Sequence, residues 1–187
     1  MTVTTPKHPA FDPEQIEAVN HAVTMAEEIV SNAYKMSASQ WLRRRYDVRT
    51  LTDLKAAEIE NGPFAQVVRY KGQRPDTSLG SNAYDHYRIC LQDHAILDVL
   101  NRSKELRLLP FVLYIVTHEL IHIIRFSQFL QFFEASPEEA LDEEHRVHRE
   151  THRLLFPIQM EGLDNALQFF EKWHDLPREA HPAVESP

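Results

Sequence analysis

Cysteine is almost absent from this sequence: Cys90 is the single one among 187 residues. One thiol cannot form an internal disulfide, which excludes the cysteine framework of small secreted proteins and favours a reducing compartment. The first eleven residues hold one lysine and no apolar run, so we expect no secretory signal. Together these features predict a cytoplasmic protein.

Basic residues are fewer than acidic residues. Lysine and arginine total 20 against 28 aspartates and glutamates, which gives a formal net charge of −8. Because phosphate binding favours a basic surface, we expect no nucleic acid partner. The apolar content of 43% and the charged content of 26% are ordinary for a soluble globular protein, and the length suits one domain.

Long hydrophobic runs are limited to one segment, from Leu108 to Phe133. It is about long enough to cross a bilayer. However, His118, Glu119, His122 and Arg125 lie near its middle, and each of these side chains is costly in lipid. The segment is therefore predicted to be a buried core helix, and we expect no membrane partner.

Periodicity, caps and turn residues divide the rest of the chain into helices and two central strands. The predicted helices are 12–36, 39–46, 53–60, 93–100, 110–133, 136–155 and 161–173. Asp93 is predicted to cap the fourth of these. The predicted strands are 64–70 and 84–91, which form a hairpin. This pattern indicates a mainly helical α+β fold with a sheet of two or three strands. One domain spans 12–175, between flexible ends at 1–11 and 176–187.

The chemistry of the chain is concentrated in the segment His118-Glu119-Leu120-Ile121-His122, which matches the HExxH pattern. On a helix, residues four apart lie one above the other, so His118 and His122 can reach one metal ion. Glu119 lies beside that face, where it can act as general base toward a zinc-bound water. The flanking residues are apolar nearly all round, and buried polar groups need partners such as a metal.

A catalytic zinc needs a third protein ligand. The next predicted helix offers these candidates: Asp142, which lies on the predicted solvated face, and Glu143, Glu144, His145 and His148. At about 100° per residue, Glu144 falls inside the apolar stripe formed by Ala140, Val147, Leu154 and Leu155. Glu143 and His145 lie at or beyond the margins of that stripe, and His148 lies one turn after Glu144 on the same side. Glu144 is therefore the preferred third ligand.

These residues resemble the gluzincin group of zinc metallopeptidases over about 118–151. The resemblance implies a zincin-like fold with an active-site helix, one zinc ion held by His118, His122 and Glu144, and Glu119 as the base. Many gluzincins carry an aspartate four residues after the ligand glutamate, where this chain has His148. Either His148 supports a ligand, or His148 is the ligand and Glu144 supports it.

The zincin comparison also implies a strand that pairs with the extended substrate, and Tyr87–Leu91 is the candidate, with an ordinary core strand as the alternative. An oxyanion-stabilising donor is expected near the metal. Four side chains are possible donors: Tyr84, Tyr87, Tyr114 and His145.

The sequence thus predicts a zinc-dependent hydrolase, with a peptide or protein as the default substrate. One alternative is a di-iron carboxylate protein that uses Glu119 and His122 as an ExxH unit, with ligands from Glu27, Glu28 or Glu58. Another is a non-catalytic interaction protein stabilised by a metal. The pairs Asp85-His86 and Asp93-His94 are interpreted as caps rather than ligands.

Overall fold

A computed structural model describes residues 8–37, 39–40, 46–73, 83–128, 130 and 133–174 of the chain. Its helices are α1 (Pro13–Ala33), α2 (Asp93–Arg102), α3 (Leu108–Ser127), α4 (Pro137–Leu155) and α5 (Leu163–His174). Its strands are β1 (Tyr46–Arg49), β2 (Ala65–Gln73) and β3 (Ala83–Leu91). The predicted mainly helical α+β class is confirmed. The predicted tail 176–187 lies outside the described residues.

Side-chain caps explain where two of the helices begin. Asp12 accepts a hydrogen bond from the backbone of Gln15 at the start of α1, and Gln15 bonds back to the backbone of Asp12. Ser136 and Glu139 form the same reciprocal arrangement at the start of α4. Each pair satisfies backbone N–H groups that have no partner inside the helix, and both predicted helix starts are confirmed.

The core is built around α3, most of whose side chains are buried. By length and composition α3 could cross a membrane, but 78% of its most apolar stretch is buried inside the protein, as in the core helix of a soluble domain. It packs against α1, α4, α5 and the sheet. The predicted extension to Phe133 is wrong: α3 ends at Ser127, whose hydroxyl donates to the carbonyl of Ile124.

The sheet has the strand order β1-β3-β2. Strands β2 and β3 form the predicted antiparallel pair, with Ala65 opposite Leu91. Strand β1 runs parallel to β3, with Tyr46 opposite Tyr87. Since β3 lies between two partners, its stretch Tyr87–Cys90 has no free edge, and the prediction that this strand pairs with a substrate is wrong.

Two predicted helices differ in the structure. Within 39–46, Ser39 and Gln40 are helical and residues 41–45 lie outside the described part, but Tyr46 begins strand β1. The segment 53–60 is no α-helix. It consists of single 3-10 turns at Leu51–Asp53 and Ala56–Glu58, and buried Glu58 is held there by Tyr70 and Arg88. These tertiary contacts override the local helix preference of the sequence.

Asp93 fixes the beginning of the domain. Its buried carboxylate accepts hydrogen bonds from the backbone N–H of Phe11, at 2.9 Å, and of Leu51, at 3.0 Å. Gln92 occupies the cap position of α2, so Asp93 does not cap that helix as predicted. Phe11, the last residue of the predicted N-terminal tail, is only 7% exposed and belongs to the core.

Candidate metal centre

Helix α3 carries two histidines one turn apart on the face that it turns toward α4. The side chains of His118 and His122 are only 8% and 10% exposed. Their Nε2 atoms lie 3.2 Å apart. The histidines are therefore fixed to one rigid buried helix and point to the same place.

Helix α4 brings Glu144 to these two nitrogens. The carboxylate lies across both rings, with Oε1 3.0 Å from Nε2 of His118 and Oε2 3.2 Å from Nε2 of His122. Ligand atoms of the three residues lie within 4.8 Å of one another, so this group could hold a metal ion. The structure thus brings together the three residues that the sequence selected as ligands.

The histidines also set the charge of Glu144. Burial favours the neutral form of this carboxyl and by itself would raise its pKa. The charge and hydrogen bonding of His118, together with His122, outweigh burial and hold the pKa well below its usual range. Glu144 is therefore an anion at neutral pH, as a metal ligand must be.

The two Nε2 atoms and the Glu144 carboxylate form a triangle of three short contacts, and hydrogen bonds alone do not account for it. Each Nε2 carries one proton at most, and the ionised carboxylate of Glu144 carries none. Three short contacts need three bridging protons, whereas two are available. A cation at the centre would satisfy all three groups at once.

The size of the triangle also suits a metal. In a tetrahedral zinc site with bonds of about 2.0–2.2 Å, neighbouring ligand atoms are roughly 3.3–3.6 Å apart. The three distances between these ligand atoms measure 3.0 to 3.2 Å, so a zinc ion fits if each distance increases by a few tenths of an ångström. Two imidazoles and one carboxylate also form a donor set that zinc takes when a fourth position stays open for chemistry.

Glu119 follows the first histidine on α3 and is half-buried, in contrast to the fully buried Leu120 after it. A half-buried carboxylate beside the ligand face is accessible to water, which a general base requires.

The neighbours of Glu144 on α4 have other partners. Glu143 forms a two-point ion pair with Arg125 near the end of α3. His148 is hydrogen-bonded through Nδ1 to the hydroxyl of Tyr114. His145 is part-exposed. In the described part of the chain, the three-residue group contains Glu144 and none of Glu143, His145 and His148.

The sequence predicts Glu143 at the margin of the core-facing stripe of α4, whereas the structure places it inside the buried face. The predicted stripe was centred on Ala140, but Ala140 is exposed because it lies in the first turn of α4, and the buried face runs through Glu143, Val147, Thr151 and Leu155. The ion pair with Arg125 makes this burial possible. Arg125, near the end of the helix that carries HExxH, is the sequence feature that could have indicated an ion-pair partner for Glu143.

Aromatic side chains hold the two histidines in place. Tyr114 stacks on Phe170 with ring centroids 3.9 Å apart, and Phe126 lies parallel to the rings of both His122 and Tyr87. Tyr87 and Tyr114 are buried, and the hydroxyl of Tyr114 is engaged by His148. The side chain of Tyr84 lies outside the described residues, so among the predicted oxyanion donors only His145 is both described and part-exposed.

Glu27 and Glu58, two of the ligand candidates for a di-iron site, have structural partners. Glu27 accepts a hydrogen bond from Tyr46, and Glu58 pairs with Arg88. His86 contacts Asp47 at 3.2 Å. Within the ranges that the structure describes, none of Glu27, Glu28 and Glu58 joins a three-residue ligand group. This arrangement does not favour a di-iron site.

No protein-family model, curated protein or solved structure matches this chain.

Proposed function

We propose that this protein is a zinc-dependent hydrolase of the metallopeptidase type. The observation that carries the proposal is the convergence of His118, His122 and Glu144 on one point between two helices. Zinc is the metal of choice, since two imidazoles and one carboxylate that converge on one point suit it better than they suit magnesium or calcium.

Each residue of the motif has a separate task in this proposal. His118, His122 and Glu144 would hold the ion. A bound zinc supplies a Lewis acid that polarises a carbonyl group and makes water more acidic. Glu119 accepts the proton of the attacking water and passes it to the leaving amine, in the manner of a general base that then becomes a general acid.

The groups around the ligands keep them in position. Helix α3 is fixed on several sides by the core, so the backbone positions of His118 and His122 are held and only small side-chain rotations are needed to fit the ion. Glu144 lies between Glu143 and His148 on α4, and both of these residues bond to α3. Such supporting contacts hold ligands within the tolerance that catalysis requires.

The gluzincin resemblance supports a peptide as substrate. Because β3 is enclosed, an extended peptide has to pair with an edge strand, and we assign this role to β2. Of the two edge strands, β2 is the one with the more extensive contact with the HExxH helix. Main-chain hydrogen bonds along that edge would orient the scissile bond without requiring a particular sequence.

Metal analysis tests the ligand set. The wild type is expected to carry one zinc per chain after purification, and His118→Ala and Glu144→Ala are expected to lose it. Matched controls are His21→Ala and Asp142→Ala, which remove an exposed histidine on α1 and an exposed carboxylate on α4. If both ligand variants keep full zinc, the proposed centre is wrong.

Activity tests the reaction separately from the metal. Glu119→Gln should retain zinc but lose at least about a hundredfold in kcat on a mixture of fluorogenic peptides, which is the usual magnitude of general base catalysis. Equal peptide cleavage by wild type and Glu119→Gln, with zinc present in both, would contradict Glu119 as the general base. No cleavage by the zinc-loaded wild type would indicate a metal-stabilised protein without this activity.

A further inference from the structure

A cavity lies on the side of helix α4 away from the metal centre. Its volume is about 380 Å³, and it opens between the C-terminal ends of α1 and α3 and the outer face of α4. Six polar residues line it: Tyr34, Arg125, Arg146, Arg149, Glu150 and Arg153. At about 100° per residue, its polar lining residues on α4 lie roughly 120–180° around the helix from Glu144, and none of the metal ligands lines it, so the cavity is separate from the metal centre.

Positive charge is in excess in this cavity. Four arginines face only two carboxylates, Glu150 in the lining and Glu143 behind Arg125. The chain as a whole carries a net charge of −8, so such a concentration of arginine is not a consequence of composition. A local excess of cations surrounded by an acidic protein attracts small anions specifically to this place.

The guanidinium groups keep donors for a ligand. Arg125 and Arg153 each use Nε and Nη2 on a glutamate, which leaves the two N–H groups of Nη1 outside the pair. Arg149 forms no ion pair with any residue that the structure describes. Arginine donors from several directions suit an oxyanion with more than one negative charge.

Tyr34 adds a donor on the opposite wall. Burial and the negative charge of Glu150 raise the pKa of its hydroxyl above the ordinary value of 10.0. Tyr34 therefore stays protonated throughout the neutral range and can donate a hydrogen bond to an anion.

We propose that this cavity binds a small molecule that carries phosphate groups. Its volume falls in the range of small-molecule pockets, which begins at about 300 Å³, and exceeds what a single inorganic phosphate fills. Phosphate groups match the planar forks of arginine and bring more than one negative charge, which the net excess of two positive charges in the cavity can compensate. The inference does not depend on the hydrolase proposal, since none of the metal ligands lines the cavity.

Calorimetric titration of the purified full chain with pyrophosphate tests this site. The wild type is expected to bind one pyrophosphate with a dissociation constant below about 1 mM. Arg149→Gln should weaken binding at least tenfold. Arg102→Gln is the matched control, because Arg102 is 76% exposed on α2 and removes the same charge elsewhere. Equal weakening in both variants, or the absence of saturable binding by wild type, overturns the proposal.

Two further titrations distinguish the ligand chemistry and the location. Citrate should bind at least tenfold more weakly than pyrophosphate, and tighter binding of citrate would assign the cavity to polycarboxylates instead. His118→Ala should bind pyrophosphate as the wild type does. Loss of binding in that variant would place pyrophosphate at the metal centre and overturn the proposal, whereas unchanged binding supports it even if the protein carries no zinc.

Discussion

The hydroxyl of Tyr114 is hydrogen-bonded to Nδ1 of His148, which joins helices α3 and α4 next to the metal centre. Tyr114 lies one turn before His118, and His148 lies one turn after Glu144. About three turns after Tyr114 on α3, Arg125 forms its ion pair with Glu143. The metal ligands are thus enclosed between two polar contacts that connect the same two helices.

The contact between Tyr114 and His148 is expected to stabilise the fold. Tyr114→Phe keeps the ring against Phe170 but removes the hydroxyl, which should lower the free energy of unfolding by about 1 kcal/mol. In a double-mutant cycle with His148→Gln, urea denaturation should show a coupling of at least about 0.5 kcal/mol. A second cycle, with exposed His21→Gln in place of His148→Gln, should be additive; coupling of the same size in both cycles would contradict a direct contact.

Adjacent glutamates on α4 should differ in what their removal does. Glu143→Ala leaves the guanidinium of Arg125 largely buried without its anionic partner, and should lower the free energy of unfolding by roughly 2–3 kcal/mol. Zinc should still bind to this variant. Glu144→Ala should lose zinc and change the stability of the metal-free protein much less.

Urea denaturation and metal analysis of the two variants measure these effects side by side. Loss of zinc in Glu143→Ala together with its retention in Glu144→Ala would exchange the roles assigned to the two residues.

The sequence alone could predict the parts of the site that depend on one helix. The i, i+4 spacing of His118 and His122 is fixed by helix geometry, and the apolar flanks of α3 already indicated burial. Local periodicity puts Glu144 on the side of α4 that meets His118 and His122, although the predicted stripe is centred on exposed Ala140 and leaves buried Glu143 at its margin. These predictions needed no knowledge of how the helices cross.

The contacts between helices could not be predicted in the same way. The pairs Arg125–Glu143 and Tyr114–His148 depend on the relative height and angle of α3 and α4, which local periodicity does not contain. Strand β1 is a similar case. Its four residues, Tyr46–Arg49, show no distinctive alternation, and they form a strand because β3, far along the chain, offers a parallel partner.

Asp47 in this strand should make stability depend on pH. Burial by itself raises the pKa of its carboxyl, but Arg88, Arg49 and His86 outweigh burial and lower it from 3.8 to about 2. Because the folded pKa is depressed, the stabilisation is fully present above about pH 4 and is lost as pH falls toward 2. The difference in unfolding free energy between wild type and Asp47→Asn should therefore shrink by roughly 2 kcal/mol between pH 6 and pH 2.5.

Urea denaturation of wild type and Asp47→Asn between pH 6 and pH 2.5 measures how this difference in unfolding free energy changes. Val48→Ala in the same strand removes no titratable group and should differ from wild type by a constant amount. A constant difference for Asp47→Asn as well would contradict the assigned ion pair.

Zinc should stabilise the folded protein in proportion to its binding at the proposed centre. A ligand that binds only the folded state adds RT ln(1 + [L]/Kd) to the free energy of unfolding, which is about 1.4 kcal/mol for each tenfold increase in free zinc above the dissociation constant. Wild type and Glu119→Gln should follow this slope, because Glu119 is assigned to the reaction and not to the metal. His118→Ala should show almost none of it. Thermal or urea denaturation at buffered free zinc concentrations gives the slopes directly, and the same slope in all three proteins would mean that the zinc binds away from this centre.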